Sequence, residues 1–285
     1  MQDLVPESIL YLDLKRRTDF LRLITPKFVL YAIVSDVLRQ GGMSTGLPTV
    51  GDFSSSLHLT VTSPPASSPQ PTNVLLLLHG LGDTSSSFTN LGRQLSLPET
   101  TCISLQAPTP LPFDLGGFHW GDDIQFDSAS GQMDLDTGFT KAVKVIKQDI
   151  IEEVLVGKYG YRPREIMFFG FGQGAMAALA AVVSMPNQEF GGIISIGGPL
   201  PLSCLSTKDV KTPVLILGGQ SSTQVIRTSL DQLKRCFQHV EYHKFERSGD
   251  GMPRDREEML PIMRFLARRM RSRKGVPEGS VEIGL

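Results

Sequence analysis

The sequence predicts an α/β fold built on a mostly parallel, doubly wound sheet flanked by helices. From about residue 53 to residue 270, short apolar runs alternate with longer helix-forming segments, as strands and helices do in such folds. Several of these runs are apolar at nearly every position, which is typical of strands covered on both faces of a parallel sheet. A chain of 285 residues with 40% hydrophobic content is long enough to bury one full-sized core.

In the first half of the chain, local patterns predict three strands and two helices. The first strand alternates apolar and polar side chains, as a half-exposed strand does, whereas the second is an uninterrupted apolar run. Pro, Ser and Gly mark the loops, and the second helix is clearly amphipathic. In chain order these elements are a strand at 57–62, a loop at 63–71, a strand at 74–79, a helix at 84–95, a strand at 102–105, a loop at 108–123 and a helix at 136–156.

The second half repeats the alternation more regularly. A buried strand leads through a glycine-dense turn into a helix of small residues, and each of the next two buried strands is followed by Gly-Gly. A helix, a strand and a last helix complete the predicted sheet and its cover. In chain order these elements are a strand at 166–169, a helix at 174–185, strands at 193–196 and 214–217, a helix at 222–237, a strand at 240–245 and a helix at 255–270.

Three segments are predicted along the chain. Residues 1–50 differ from the rest and predict an N-terminal extension that is either disordered or folded into short helices. Met43 opens a run that itself resembles a protein start, so 1–42 are interpreted as an optional extension. The α/β domain is predicted at 51–272, and 273–285 are predicted to be a disordered tail.

Composition excludes several classes of function. A net charge of −1 disfavours a nucleic-acid partner, and no apolar run is long enough for a transmembrane segment. The three cysteines lack C-x-x-C spacing and the five histidines lack ligand spacing, so neither a metal site nor a cofactor is predicted. The unpaired cysteines and the lack of an evident secretory signal predict a cytoplasmic protein.

The turn at 170–174 carries the most specific signal. It reads G-F-G-Q-G and lies between a buried strand and a helix, which is the layout of the G-x-S-x-G nucleophile elbow. Gly172 stands where that motif has its serine. A phosphate loop or a dinucleotide site is disfavoured, because no Lys-Ser/Thr pair follows the glycines and the strand comes late in the domain.

Three motifs in the same order resemble those of the acyl-protein thioesterase and carboxylesterase/phospholipase family of α/β-hydrolases. They are H-G-L-G-D-T at 79–84, an Ala-Pro pair at 107–108 followed by F-H-W at 118–120, and the elbow itself. The resemblance extends from about residue 53 to residue 270. It implies the α/β-hydrolase fold, an oxyanion hole formed by the amides of Leu81 and Gln173, and a substrate loop that contains His119 and Trp120.

The chain departs from that family at all three catalytic positions. The nucleophile is replaced by Gly172, the acid position falls on Ser222, and counting along the last loop places Met252 at the base position. Acyl transfer by this architecture needs a nucleophile, a base and an acid. We therefore interpret the loss of all three as retirement of the original mechanism, with no catalytic triad intact.

Three functions remain open from the sequence. The first is a pseudoenzyme that binds an acyl chain, an acylated peptide or a protein partner. The second is an active ester or thioester hydrolase with relocated groups, such as an Asp250–His119 pair that activates water. The third is an interaction protein whose groove is filled by its own side chains. The sequence does not identify the ligand or the oligomeric state.

Overall fold

The computed structural model describes residues 46–66, 71–113, 115–126, 131, 133–204 and 209–276. All of them belong to one compact unit, Thr45–Leu285. Most of the predicted N-terminal extension and most of the predicted tail lie outside the described residues. The described residues nearest the N-terminus begin with a short 3-10 turn, Val50–Asp52, whose Asp52 carboxylate accepts a 2.6 Å hydrogen bond from the Tyr159 hydroxyl.

The core of the fold is a seven-stranded sheet in the order β1-β3-β2-β8-β9-β10-β11. Only the edge strand β1 is antiparallel to its neighbour, and every other pair in this sheet is parallel. The prediction of a mostly parallel sheet is therefore confirmed. Its strands are β1 (Leu59–Thr62), β2 (Asn73–Leu78), β3 (Thr100–Leu105), β8 (Ile166–Phe171), β9 (Gly192–Ile196), β10 (Val214–Gly218) and β11 (Val240–Lys244).

Helices cover both faces of this sheet, and their packing produces two apolar clusters. One cluster lies on the face that includes Phe168 and Ile216, and the other on the face that includes Phe169 and Leu217. Adjacent strand residues point to opposite faces, so β8 and β10 each contribute side chains to both clusters. The helices are α1 (Ser85–Leu95), α2 (Thr140–Lys144) continued by a π-helix (Val145–Lys158), α3 (Gln173–Val183), α4 (Arg227–Cys236) and α5 (Arg256–Arg269).

The loop predicted at 108–123 contains structure that the sequence did not predict. β4 (Thr109–Pro110) and β5 (Phe118–His119) form a short antiparallel pair, and β6 (Gln125–Phe126) pairs with β7 (Met133–Asp134) just beyond. These pairs hold the predicted substrate loop over the carboxyl edge of the sheet, because Phe118 forms a bridge with Asp83 in the loop after β2.

Two helix starts lie later than predicted. The second long helix begins at Thr140 instead of 136, where the Asp122 carboxylate accepts the amides of Thr140 and Lys141. The helix predicted from 222 begins at Arg227, because the Ser222 hydroxyl accepts the amide of Val225 in a preceding turn. Among the residues that the structure describes, no helix combines the length and apolar character needed to cross a membrane.

Candidate active site

Gly172 keeps the backbone conformation of a nucleophile elbow. It lies between β8 and α3 with φ 51° and ψ −121°. Its amide donates a 2.8 Å hydrogen bond to the Ile196 carbonyl, and its own carbonyl accepts the amides of Ala175 and Met176. A Cβ placed on Gly172 would meet no atom within 4 Å. The position of the missing serine side chain is therefore open space.

Gly170 and Gly174, which flank Gly172 in the turn, lie in close contact with neighbouring backbone. A Cβ on Gly170 would lie 2.5 Å from the backbone of Ala175, and one on Gly174 would lie 2.3 Å from the His79 carbonyl oxygen. Both approaches involve backbone atoms and leave no room for a side chain. These two glycines thus allow α3 and the loop after β2 to pack tightly against the elbow.

His79 fixes the loop that would carry the oxyanion hole. It is fully buried, with Nδ1 2.7 Å from the Gly80 carbonyl oxygen, and its Nε2 accepts the Ala107 amide at 3.0 Å. This arrangement requires the neutral ring with the proton on Nδ1. Burial lowers the pKa of His79, which also favours the neutral ring. His79 is therefore a structural residue that joins the loop after β2 to the loop after β3.

The amides of Leu81 and Gln173, which the resemblance assigns to an oxyanion hole, come from two adjacent loops. Their parent strands β2 and β8 pair in parallel, with Leu78 opposite Gly170. Within the described part of the chain, neither amide donates a hydrogen bond to another protein group. Gln173 is also the first residue of α3, where unpaired amides and the helix dipole favour an electron-rich oxygen.

Trp120 and the Gln173 side chain brace the substrate loop against this site. Trp120 is fully buried, and its indole N–H donates to the His79 carbonyl at 2.8 Å. The Trp120 backbone amide donates to Gln173 Oε1 at 2.7 Å, while the side-chain nitrogen Nε2 of Gln173 donates to the Leu135 carbonyl. The resemblance assigns both residues to the site, but the sequence does not predict these hydrogen bonds.

His119 lies beside Trp120 in the same loop and is 2% exposed. Within the described residues its Nδ1 has no hydrogen-bond partner. Its pKa is lowered, first by burial and then by the positive charge of Lys141, while Asp123 acts in the opposite direction. The charged groups that shift the pKa of His119 are Lys141 and Asp123, while the Asp250 carboxylate bonds Ser222 and Gly219.

The acid position carries a hydroxyl that is paired with a carboxylate from the neighbouring loop. The Ser222 Oγ donates to Asp250 Oδ2 at 2.7 Å, and Asp250 Oδ1 accepts the Gly219 amide at 2.8 Å. A Cβ on Gly197, in the loop after β9, would lie 2.9 Å from the Cβ of Asp250. Asp250 thus lies at the carboxyl edge of the sheet, two residues before the base position.

Met252, at the base position, is half-buried and packs against the apolar cluster that contains Phe169 and Leu217. A thioether does not accept a proton at working pH, so the observed role of Met252 is packing. The pairing of Asp250 with Ser222 could not be inferred from the sequence, because the two residues are 28 positions apart and belong to no common motif.

The side chains at the site differ from those of a Ser-His-Asp triad. Gly172 has no nucleophilic side-chain atom, and the Ser222 hydroxyl bonds the Asp250 carboxylate directly, without a histidine between them. Within the described ranges, no three His, Cys, Asp or Glu side chains form a group that could hold a metal ion. The two free amides and the open space beside Gly172 are the features that remain available to a ligand.

Comparison with known proteins identifies the family of the chain. A hydrolase of Schizosaccharomyces pombe with the name "uncharacterized hydrolase" is 42% identical over 136 residues, which cover 46% of this chain and 55% of that protein. The match thus spans about half the length of that relative. Acyl-protein thioesterase 1 of Kluyveromyces lactis is 28% identical over 225 residues, covering 72% of this chain and 96% of that protein.

Solved structures and a family model extend the comparison to the whole domain. The crystal structure of esterase PE8 has a TM-score of 0.57 and 22% identity, and covers 75% of this chain and 99% of that chain. At that identity the likeness shows the fold alone. A family model described as phospholipase/carboxylesterase matches residues 60–268. The chain therefore belongs to the phospholipase/carboxylesterase family of α/β-hydrolases.

Proposed function

We propose that this protein is a non-catalytic member of its family that binds an acyl compound, either an acyl chain or an acylated peptide, at the elbow. One observation carries the proposal. Gly172 has φ 51° and ψ −121° with open space at its side-chain position, while Ser222 and Met252 are the residues that the resemblance assigns to the acid and base positions. These observations support a site that binds a ligand without the reactive groups of a triad.

The amides of Leu81 and Gln173 would bind the carbonyl or carboxylate oxygen of the ligand. Preorganised amide donors of this kind bind an electron-rich oxygen whether or not chemistry follows. When triad residues are removed from a serine protease, such donors and binding still leave roughly 10³–10⁴-fold catalysis over water. That residual rate is far below what a physiological esterase needs.

Two measurements on the full chain test this proposal. Hydrolysis of short p-nitrophenyl esters and of acyl thioesters is expected to stay at background, and fluorophosphonate probes are expected to leave the protein unlabelled. Trp120 is the only tryptophan and its indole bonds the loop of the site, so its fluorescence reports binding there. An S-acylated peptide is expected to change this fluorescence, whereas the same peptide without its acyl group is not.

A second candidate is an active hydrolase that uses relocated groups. It is favoured by the Asp250 carboxylate, which lies at the same sheet edge as the elbow and accepts a hydrogen bond from Ser222. In this mechanism water would attack the ester, and no acyl-enzyme would form. It predicts measurable hydrolysis without fluorophosphonate labelling.

The variant Asp250→Asn separates the two candidates. Asn keeps the size of the side chain but cannot act as a base at neutral pH. Turnover above background in the native chain that disappears in Asp250→Asn would refute the non-catalytic proposal. Background rates in both proteins, together with a fluorescence response to the acylated peptide alone, would support it.

A further inference from the structure

A cleft outside the elbow lies between α4 and the edge strand β11. Its volume is about 560 Å³, within the range of small-molecule sites in proteins. Val225 and Leu230 form an apolar part of its lining, and Tyr242 lines it from the strand side. Ser222, which bonds Asp250, also belongs to the lining.

Three cationic side chains, Arg227, Lys234 and Lys244, line this cleft together with a single acidic one, Asp231. Within the part of the chain that the structure describes, none of the three cations forms an ion pair. The arginines at the end of α5 differ in this respect, because Arg268 pairs with Glu241 and Arg269 with Glu189. The three cations therefore outnumber Asp231 in the lining, while the Asp250 carboxylate bonds the lining residues Gly219 and Ser222.

The positions of these cations fit an elongated anion. Arg227 and Lys234 are seven residues apart on α4, which places them two turns and about 10 Å apart along one helix face. Leu230 lies between them on the same face, and Lys244 approaches from the opposite wall. Arg227 is also the first residue of α4, where the positive end of the helix dipole adds to the attraction for an anion.

We propose that this cleft binds the phosphate group of a small molecule whose apolar or aromatic part packs on Val225 and Leu230. The cations supply charge-assisted hydrogen bonds to phosphate oxygens, which are about twice as strong as neutral ones. The apolar residues would hold the ligand body. The cleft is too small for a nucleic-acid duplex, and the net charge of −1 gives no general attraction for one.

This site is separate from the elbow and goes beyond the proposed function. Asp250 bonds both Ser222 and Gly219 on the side of the cleft nearer the elbow, so a carboxylate stands between the two sites. Binding of a phosphate compound in the cleft would not depend on whether the elbow is catalytic. Failure of either proposal is therefore distinguishable from failure of the other.

Calorimetric titration of the full chain at low, fixed ionic strength tests the cleft. The probes are inorganic phosphate, pyrophosphate and ADP, with adenosine as the uncharged comparison. ADP is expected to bind more tightly than phosphate, and adenosine is expected not to bind measurably. Vesicles that contain a phosphoinositide, compared with phosphatidylcholine vesicles, show whether a lipid headgroup supplies the phosphate instead of a soluble molecule.

Matched variants distinguish binding in the cleft from general attraction to the surface of α4. Lys234→Gln and Lys244→Gln each remove one lining cation and are expected to weaken ADP binding about tenfold. Arg235→Gln changes the net charge equally at the adjacent exposed position of α4, which does not line the cleft, and is expected to leave binding unchanged. Asp231→Asn is expected to strengthen it, because it removes the only acid in the lining.

Two outcomes overturn the proposal. One is the absence of measurable binding of every phosphate probe, soluble or in vesicles, at millimolar concentration. The other is equal weakening by Arg235→Gln and Lys234→Gln, which would show diffuse attraction to the surface of α4 in place of a site. Circular dichroism and the unfolding temperature of each variant show that any loss of binding is not a loss of fold.

Discussion

Gly172 shows how the surrounding backbone fixes the conformation of the turn between β8 and α3. Its φ of 51° belongs to the region that glycine reaches without penalty. The neighbouring backbone fixes this conformation, because the amide and carbonyl of Gly172 bond Ile196, Ala175 and Met176. The elbow is thus held by strand-to-helix geometry and does not depend on a nucleophile. Glycine adopts this conformation without the strain that another residue would carry.

Substitution of this glycine has a predictable effect on stability. Gly172→Ser is expected to lower the free energy of unfolding by about 1–3 kcal/mol, because the new side chain has space but its backbone becomes strained. Urea unfolding measures this change. We also expect no gain of esterase rate, since Met252 supplies no base.

Gly249 provides the matched control for Gly172→Ser. A Cβ there also meets no atom within 4 Å, and its φ lies outside the left-handed region. Gly249→Ser is therefore expected to change the free energy of unfolding by less than about 0.5 kcal/mol. Equal effects of the two substitutions would contradict the strain argument, and a gain of esterase rate in Gly172→Ser would reveal a base that reaches the elbow.

At the level of elements, the segment after α5 is attached to the amino-terminal edge of the sheet. The Asn73 side chain in β2 accepts the Arg271 amide at 2.9 Å and donates to its carbonyl at 2.8 Å. The buried Glu99 accepts the Ser272 hydroxyl and the Arg273 amide. These bonds hold the segment after α5 at the sheet edge opposite the loops of the candidate site, so they contribute to stability and not to the site.

Removal of the Asn73 side chain tests this attachment. Asn73→Ala is expected to lower the free energy of unfolding by about 1–3 kcal/mol, because it leaves two polar groups of Arg271 unpaired in a partly buried position. Asn90→Ala, in the exposed face of α1, is the control and is expected to have little effect. Similar urea midpoints for the two variants would show that the attachment contributes little.

At the scale of the whole molecule, two buried histidines link stability to pH. Burial lowers the pKa of both His79 and His119, whereas an unfolded histidine titrates at about 6.5. As the pH falls below that value, the unfolded chain takes up protons that the folded chain does not, so acidification favours unfolding. Their contribution is fully present above pH 6.5 and is lost as the pH falls towards their lowered values.

We therefore expect the free energy of unfolding to decrease from pH 7.5 to pH 5.5. Each of the two histidines contributes at most about 1.4 kcal/mol per pH unit. Urea unfolding at several pH values measures the slope, and His79→Gln is expected to flatten it. His239→Gln, at an exposed position in the turn before β11, is expected to retain the slope of the native chain. An unchanged slope in His79→Gln would contradict the assignment.

The sequence by itself determined the fold class and the family, and it predicts which residues stand at the three catalytic positions. These features reside in contiguous motifs and local periodicity, such as the apolar run of β2 and the glycine frame around Gly172. Tertiary structure alone decided that Asp250 bonds Ser222, that Met252 joins the core, and that Asn73 holds Arg271, 198 residues away in the chain. Such contacts join distant segments through packing of the sheet edges, and no local pattern encodes them. The cleft beside α4 also depends on tertiary structure, because its walls come from a helix and a strand that only the folded sheet brings together.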